Sequence, residues 1–240
     1  MTNLFVAKLG GHATLTTAEI AKLTRACQGA RGYPAGHDLI HEGDASGGTF
    51  VVLEGWACRY KSVPGGGRQI VAFLLPGDFG DLHAGVLTGL DHSIATVTKA
   101  LIATIPAAEM DELVTMRPAV TEAFWWAQLV DESILRAWVV SMGRRSSMER
   151  VAHLMCELYA RMRNIGLADA DSCEMPLTQL VLADALGLTP VHVNRVLRKL
   201  RTAGIMLLSD GVLRVLDPAG LTRLAGFDDN YLHRRPTRTA

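Results

Sequence analysis

A group of positively charged side chains lies in the C-terminal third of the chain, beside one amide. Asn194 is followed by four cations within seven residues, and no Asp or Glu occurs between Ala185 and Ser209. The cations are Arg195, Arg198, Lys199 and Arg201. A guanidinium can donate two hydrogen bonds to guanine, an amide can pair with adenine, and cations neutralise phosphates. A solvated helix face normally mixes both signs of charge, so this segment favours contact with DNA.

The elements that would present these side chains form a helix-turn-helix pattern. Thr178 can cap a helix that runs to Leu186, and Gly187 tolerates the positive φ of a tight turn. Thr189 is then an N-cap residue, and Pro190 takes the first position of a second helix that continues to about Thr202. The residues predicted to face inward are Leu180, Ala183 and Leu186 on the first helix, and Val193, Val196, Leu197 and Leu200 on the second.

Ten residues of this unit are predicted to contact DNA. We assign Arg195 to guanine and Asn194 to adenine or a phosphate, and the hydroxyl, imidazole and remaining cationic side chains to phosphates. The full set is Thr178, Gln179, Thr189, Pro190, Val191, His192, Asn194, Arg195, Arg198 and Lys199. Two short β-runs around Asp210-Gly211 then predict a two-stranded wing over residues 205–215. Asp217 before Pro218 predicts a last short helix.

The first half of the chain has a β pattern. Residues 31–106 are rich in glycine and β-forming residues, with turn signals at short intervals. The runs 49–55, 56–62 and 68–75 are predicted strands, the last two joined by a Gly-rich hairpin loop, and Ser93–Ile105 is predicted to be one long final strand. Strands this short and closely spaced favour a β-roll of the jelly-roll type over alternating strands and helices.

Between these two halves, residues 118–165 are predicted to be helical, and Ser146 with Glu149 three residues later forms a capping-box pattern that predicts the start of a new helix. One apolar stripe follows spacings of three and four, and further apolar residues, among them Trp125, Leu129 and Val139, widen it to a second side. The stripe consists of Val120, Phe124, Ala127, Val130, Ile134 and Ala137. We expect the β-domain to cover one side and a second copy of the chain the other, which predicts a homodimer. The alternative is a helix buried within one chain.

Composition excludes several classes of protein. No apolar run approaches the roughly 20 residues of a membrane helix, and the N-terminus lacks a secretory signal pattern, so we expect a cytoplasmic protein that does not bind a membrane. The four cysteines are widely scattered, which predicts reduced core thiols and no metal site; a redox role of Cys58 or Cys156 stays open. No phosphate loop, nucleophile elbow or metal-spaced His/Asp set occurs, so no enzyme and no catalytic residue is predicted.

Over nearly its whole length the chain resembles the Crp/Fnr family of bacterial transcription factors. In the first half the resemblance rests on Gly43, Leu53-Glu-Gly55, Gly67-Arg68 and Pro76-Gly-Asp-Phe-Gly80, and in the second on Leu177-Thr-Gln-Leu180 and Leu186–Arg195. It implies a homodimer built on the long central helix, a two-fold symmetric operator and contact with RNA polymerase. It also implies that bases are read through Pro190, Val191, Asn194 and Arg195. Family members often carry Glu, which accepts from cytosine, where this chain has Val191.

The resemblance also implies an effector pocket in the β-roll, at Gly77, Asp78, Gly80, His92 and Ser93. Relatives that bind cyclic nucleotides have Glu and Arg where this chain has Asp78 and His92. The shorter acid and the loss of a fixed bidentate cation disfavour a cyclic nucleotide. No iron–sulfur ligand cluster is present, and haem is not expected, although His37, His41, His83 and His92 are nominal axial ligands. A regulator without a small ligand and one with an unidentified ligand both stay open.

These patterns predict an α+β chain with four parts. They are a β-roll sensor domain with an N-terminal helix (1–116), a long dimerisation helix (117–143), a winged helix-turn-helix (144–228) and a disordered tail (229–240). The functional prediction is a sequence-specific transcription regulator; neither its operator sequence, its target genes nor a role as activator or repressor follows from the residues. The alternative is a cyclic-nucleotide-binding signalling module whose C-terminal domain contacts proteins.

Overall fold

The computed structural model describes residues 3–45, 47–82 and 89–233. The chain forms two compact units, of which the first comprises residues 3–63 and 71–131 and the second residues 64–70 and 132–233. The helices are α1 (Leu4–Gly10), α2 (Thr17–Ala26), α3 (Ala107–Val114), α4 (Pro118–Arg144), α5 (Ser147–Asn164), α6 (Gln179–Leu186), α7 (Pro190–Thr202) and α8 (Pro218–Ala225). The strands are β1 (Arg31–Tyr33), β2 (Asp38–Ile40), β3 (Gly48–Glu54), β4 (Ala57–Ser62), β5 (Arg68–Leu74), β6 (Ser93–Thr96), β7 (Ala100–Pro106), β8 (Ser172–Glu174), β9 (Met206–Ser209) and β10 (Val212–Val215).

The predicted α+β class and the N-terminal β-roll are confirmed. Two antiparallel sheets have the strand orders β1-β7-β3 and β2-β6-β4-β5, so the neighbouring strands β4 and β5 form the predicted hairpin. The prediction of one strand over Ser93–Ile105 is wrong. The chain leaves the second sheet after Thr96 and enters the first at Ala100, because Val97 and Thr98 bond the Trp56 carbonyl instead of a neighbouring strand.

Apolar residues from both sheets fill the interior of the roll. Val52, Ala57, Leu74, Ile94 and Ile102 are each at most 1% exposed and form one cluster. Alternation of side chains along each strand brings these residues to the same side. Burial at this level supplies the main driving force for the fold of the roll.

A second cluster joins the helices of the first unit to the outer side of the roll. It contains Phe5 of α1, Leu23 of α2, Leu113 of α3 and Phe124 of α4. The ring of Phe124 lies 6.1 Å from that of Phe5 and 5.7 Å from that of Phe79. The N-terminal end of α4 is therefore anchored within its own chain.

Most of the apolar stripe predicted for the dimer helix packs inside the chain. Val120, Phe124, Ala127, Val130 and Ile134 are between 0% and 9% exposed, and Ala137 is half-buried. The exposed apolar side chains of α4 form the other side of the helix. They are Trp125, Leu129, Leu135, Val139 and Val140, each 47–66% exposed. The two apolar sides exist as predicted, but the named stripe is the one that faces the protein interior.

The second unit contains the helix-turn-helix and the wing. A capping box between Ser146 and Glu149 starts α5, as predicted. The wing is a sheet of three strands in the order β8-β10-β9, where two were predicted, because Ser172–Glu174 adds a strand beside β10. Leu180, predicted to face inward, is 59% exposed, and Leu182 is the fully buried residue of α6.

The C-terminal segment differs from the predicted disordered tail. Asp229–Leu232 form a 3-10 helix, capped by Asp228, and Leu232 is 4% exposed. Tyr231 donates a hydrogen bond to Glu157 of α5 at 2.9 Å. Residues 229–233 thus belong to the folded second unit, while residues 234–240 lie outside the described part of the chain.

Within the described residues, no single helix is long and apolar enough to span a membrane. By length and composition alone, α6 and α7 would do so as a pair, but they are bent by 101° relative to each other.

Candidate DNA-binding interface

The start of α7 is fixed by three local features. Thr189 adopts extended backbone angles, and its hydroxyl accepts a hydrogen bond from the His192 amide at 3.2 Å. Pro190 follows at the first helical position, where no amide hydrogen is needed. Gly187 turns the chain with φ +61°, a left-handed conformation that glycine adopts at no steric cost because it has no Cβ. The predicted helix-turn-helix is therefore present, with α6 ending at Leu186 and α7 beginning at Pro190.

The two sides of α7 differ sharply in chemistry. Val193, Val196 and Leu200 are at most 3% exposed and pack inside the unit, whereas Leu197 is half-buried. Arg195, Arg198, Lys199 and Arg201 are all exposed, and Asn194 is half-buried. The helix thus offers cations and an amide on the side that the protein leaves open.

The predicted contact residues at both helix starts are also accessible. Thr178 and Gln179, at the start of α6, and Thr189, Pro190 and Val191, at the start of α7, are all exposed. Thr178 caps α6 by accepting from the Val181 amide at 3.2 Å. The first amides of a helix carry a partial positive charge and suit a phosphate.

His192 is placed differently from the other predicted phosphate contacts. Its Nε2 lies 3.0 Å from the hydroxyl of Ser147, the first residue of α5, and the side chain is half-buried. The imidazole therefore joins the start of α7 to the start of α5. Sequence reasoning missed Ser147, because a contact between residues 45 positions apart leaves no local signal.

The wing turn is formed by Asp210 and Gly211, both with positive φ, at +53° and +73°. This is the geometry of the predicted two-residue hairpin turn. Ser209 donates to the Asp210 carboxylate at 2.8 Å. The wing follows α7 directly in the chain, as in winged DNA-binding units.

In the first unit, the predicted effector residues are engaged by the protein itself. One carboxylate oxygen of Asp78 accepts from the Leu75 amide at 2.8 Å, and the other pairs with Lys8 of α1. Gly77 has φ +89°, and a Cβ there would lie 2.8 Å from the Leu4 carbonyl oxygen, so α1 packs directly on this turn. The Gly80 amide donates to the Phe50 carbonyl at 2.7 Å. The carboxylate of Asp78, which would meet a ribose hydroxyl, is thus already bound by the Leu75 amide and Lys8.

His92 and Ser93 are buried as well. His92 Nδ1 lies 2.8 Å from Asp91, and Nε2 lies 3.3 Å from Asp81. Burial lowers the pKa of His92, but the interactions with these two carboxylates outweigh it and raise the pKa above its usual value. The Ser93 hydroxyl accepts from the Glu42 amide at 2.9 Å. His83 lies outside the described residues.

A buried arginine that the sequence analysis did not single out occupies the same region. Arg59 of β4 is 9% exposed, donates to Asp131 of α4 at 3.0 Å and bonds the Phe79 carbonyl at 3.2 Å. The available signal was an arginine directly after Ala57 and Cys58 in a predicted strand. Through these two contacts Arg59 joins the turn at Phe79 to the long helix.

The cysteines are all free and buried. Burial raises the pKa of Cys156 to about 12, and burial together with Glu174 raises that of Cys173 to about 11. Thiols in this state are poor nucleophiles at neutral pH. Among the described residues, no group of three or more His, Cys, Asp or Glu side chains is arranged to hold a metal ion.

Models of two known domains match the chain in the order seen in the structure. A cyclic nucleotide-binding domain matches residues 30–116, and a Crp-like helix-turn-helix domain matches residues 149–224. Nitrogen fixation regulation protein FixK of Bradyrhizobium diazoefficiens is 32% identical over 195 residues, which is 80% of each chain. Transcriptional activatory protein AadR of Rhodopseudomonas palustris is 33% identical over 78% of this chain and 77% of its own. Transcriptional activator protein FnrL of Cereibacter sphaeroides is 28% identical over 83% of this chain and 82% of its own.

Among solved structures, FixK2 from Bradyrhizobium japonicum superposes with a TM-score of 0.72 and 23% identity, covering 83% of this chain and 98% of its own. That likeness extends the match in fold to both units. The chain belongs to the Crp/Fnr family, and it is a DNA-binding transcription regulator.

Proposed function

We propose that this regulator acts as a homodimer on a two-fold symmetric operator, reading bases through the first turns of α7 and phosphates through its cations. The observation that carries the proposal is the exposed side of α7, where Asn194 and Arg195 lie near a capped helix start with no acid on the helix. A recognition helix normally inserts this end into the major groove.

Selection of bound sequences from a random DNA pool tests the proposal directly. We expect a palindromic consensus with half-sites about one helical turn apart, since a symmetric dimer presents two copies of α7. A selected pool without symmetry would contradict the dimer on its operator. A pool without any consensus would contradict base reading.

Two alanine variants separate base reading from phosphate contact. Arg195→Ala should cost about 1–3 kcal/mol on the selected site and relax specificity at one base pair. Lys199→Ala should weaken binding evenly on all sequences and reduce the salt slope by about one. Fluorescence anisotropy on specific and scrambled duplexes at several salt concentrations measures both. Equal losses on both duplexes for both variants would refute the division of roles.

The exposed apolar side of α4 supports the homodimer. Leu135, Val139 and Val140 are 47–66% exposed on a helix whose opposite side is already buried. Val139→Lys should therefore convert the dimer to a monomer in sedimentation experiments. Val63, which is 54% exposed but lies outside the helices, provides the matched control, and Val63→Lys should leave the dimer intact. A Val139→Lys protein that stays dimeric would exclude this side of α4.

Cyclic AMP is not its effector in this proposal. The engagement of Asp78 by Lys8 and the Leu75 amide, and the Arg59–Asp131 pair, support this. The selected consensus and affinity should be the same with and without cyclic AMP. A tenfold gain in affinity with cyclic AMP would overturn this part.

The bound dimer contacts RNA polymerase and, as a regulator of bacterial promoters, works in the cytoplasm. In vitro transcription with purified bacterial RNA polymerase from a promoter carrying the selected site tests this contact. A change in transcript level that depends on the site is expected, and its sign gives activation or repression. If the C-terminal domain instead served protein contacts alone, promoter DNA would not shift in a gel at any salt concentration.

A further inference from the structure

Val191 is an exposed aliphatic residue on the face of α7 that carries the polar contact residues. At 75% exposure it has the largest value among the exposed large hydrophobic side chains that the structure describes. A single exposed hydrophobic residue is ordinary on a protein surface. The position of this one distinguishes it, since it follows Pro190 in the first turn of the helix.

The geometry of a helix places Val191 opposite the buried side. Successive side chains are rotated by about 100°, so positions three and four residues apart share a face. Asn194 and Arg195 are those neighbours of Val191, while Val193, Val196 and Leu200 point into the unit. A β-branched residue also lowers helix propensity slightly, so the exposed valine brings no benefit to the fold.

The first turn of α7 holds this side chain in a fixed place. Thr189 caps the helix, and His192 Nε2 lies 3.0 Å from the Ser147 hydroxyl of α5. The χ1 angle of a helical valine has one strongly preferred value. An apolar contact made by Val191 therefore costs little conformational entropy when a partner arrives.

The edges of the bases in the major groove offer only one apolar group, the 5-methyl of thymine. An isopropyl group can neither donate nor accept a hydrogen bond. Placed against the amino group of cytosine or adenine, it would leave that group unpaired and desolvated, which is unfavourable. The side chain of Val191 thus complements thymine and no other unmodified base.

We propose that Val191 selects a thymine in each half-site by packing against its 5-methyl group, beside the bases read by Asn194 and Arg195. The inference rests on the proposed use of α7 in the major groove and adds the identity of one base. It predicts that the discriminating feature is a methyl group and not a hydrogen-bonding edge.

Replacing thymine with uracil removes this methyl group and nothing else. With the sequence selected by the wild-type protein, each thymine of the half-site is replaced in turn, in both half-sites, and the Kd is measured by fluorescence anisotropy. At one position, uracil should weaken wild-type binding about 4-fold per half-site, the equivalent of about 0.8 kcal/mol for one buried methyl group. Val191→Ala should bind the thymine and uracil duplexes within a factor of two of each other at that position.

Two controls keep the test specific. Val191→Thr retains one branch methyl and should keep part of the preference for thymine. Uracil at the other thymines should affect wild type and Val191→Ala equally. Because Val191 is exposed, an unchanged thermal midpoint for both variants will show that the fold is intact.

The outcomes also separate this inference from the function on which it rests. If wild type and Val191→Ala respond identically to uracil at every position, Val191 does not read a thymine methyl, although operator binding stands. If the random pool yields no consensus at all, base reading by α7 fails and the inference fails with it.

Discussion

Replacing Tyr231 with phenylalanine tests whether a buried carboxylate holds the C-terminal segment against the DNA-binding unit. Glu157 of α5 is fully buried and accepts hydrogen bonds from the Tyr231 hydroxyl at 2.9 Å and from Trp138 Nε1 at 3.1 and 3.2 Å. Arg161 lies 3.6 Å away. Burial raises the pKa of Glu157, and these three partners act in the opposite direction. Each of these three partners therefore favours the ionised form of a carboxyl group whose ionisation burial opposes.

The cost of Tyr231→Phe follows from what remains around Glu157. A hydrogen bond to a charged group contributes about 1.5–3 kcal/mol. Because Trp138 and Arg161 still satisfy the carboxylate and Tyr231 is only half-buried, we expect a loss of about 2 kcal/mol. For a unit of this size that lowers the Tm by about 10 °C.

Differential scanning calorimetry measures this loss, and the chain contains a matched control. Tyr159 donates to the carbonyls of Asp169 and Ala170 at the surface, so Tyr159→Phe should cost no more than about 0.5 kcal/mol. In a Glu157→Gln background the cost of Tyr231→Phe should fall to about 1 kcal/mol, that of a neutral hydrogen bond. Equal losses for the two tyrosine variants would refute the argument, and so would a Tyr231→Phe cost that is the same in both backgrounds.

Two further perturbations test buried charge elsewhere. Burial and the nearby Arg145 lower the pKa of His153 to about 4. As the pH falls below about 6.5, the imidazole therefore becomes protonated in the unfolded chain while it stays neutral in the folded one. The second unit should lose about 2 kcal/mol of stability between pH 6.5 and 4.5, and His153→Phe should remove that loss in pH-dependent denaturation; an unchanged pH slope would contradict it. Asp131→Asn should lower the stability of the first unit by about 2 kcal/mol in urea denaturation. This is less than the cost of breaking a fully buried ion pair, because Asp131 is partly exposed. Adding Arg59→Met should recover most of the loss, because it removes the unpaired charge.

The parts of the structure that the sequence predicted well are set by local signals. The start of α7 follows from Thr189 and Pro190, which act within one turn of the helix. The start of α5 follows from Ser146 and Glu149 for the same reason. Since caps and turns depend on residues at most four positions apart, sequence alone can identify them.

The parts that the sequence did not predict depend on contacts between distant residues. The break between β6 and β7 arises where residues 97–98 bond the carbonyl of Trp56, about 40 positions earlier. The tail looked disordered from its polar composition, yet Tyr231 and Leu232 anchor residues 229–233 through Glu157 and the core. Both features depend on contacts between residues that are far apart in the sequence, and periodicity and composition do not reveal such contacts.

The long helix shows why an apolar pattern alone cannot assign a partner. Both of its sides carry apolar residues in the sequence, and only the fold shows that Phe124 and Ile134 face inward while Leu135 and Val139 do not. From Glu132 onward α4 belongs to the same compact unit as α7, and Trp138 is bonded to Glu157 within it. In the proposed dimer, contacts along Leu135 and Val139 would therefore set the distance between the two copies of α7. In that proposal the spacing of the operator half-sites would depend on the exposed side of α4, and their base sequence would depend on α7.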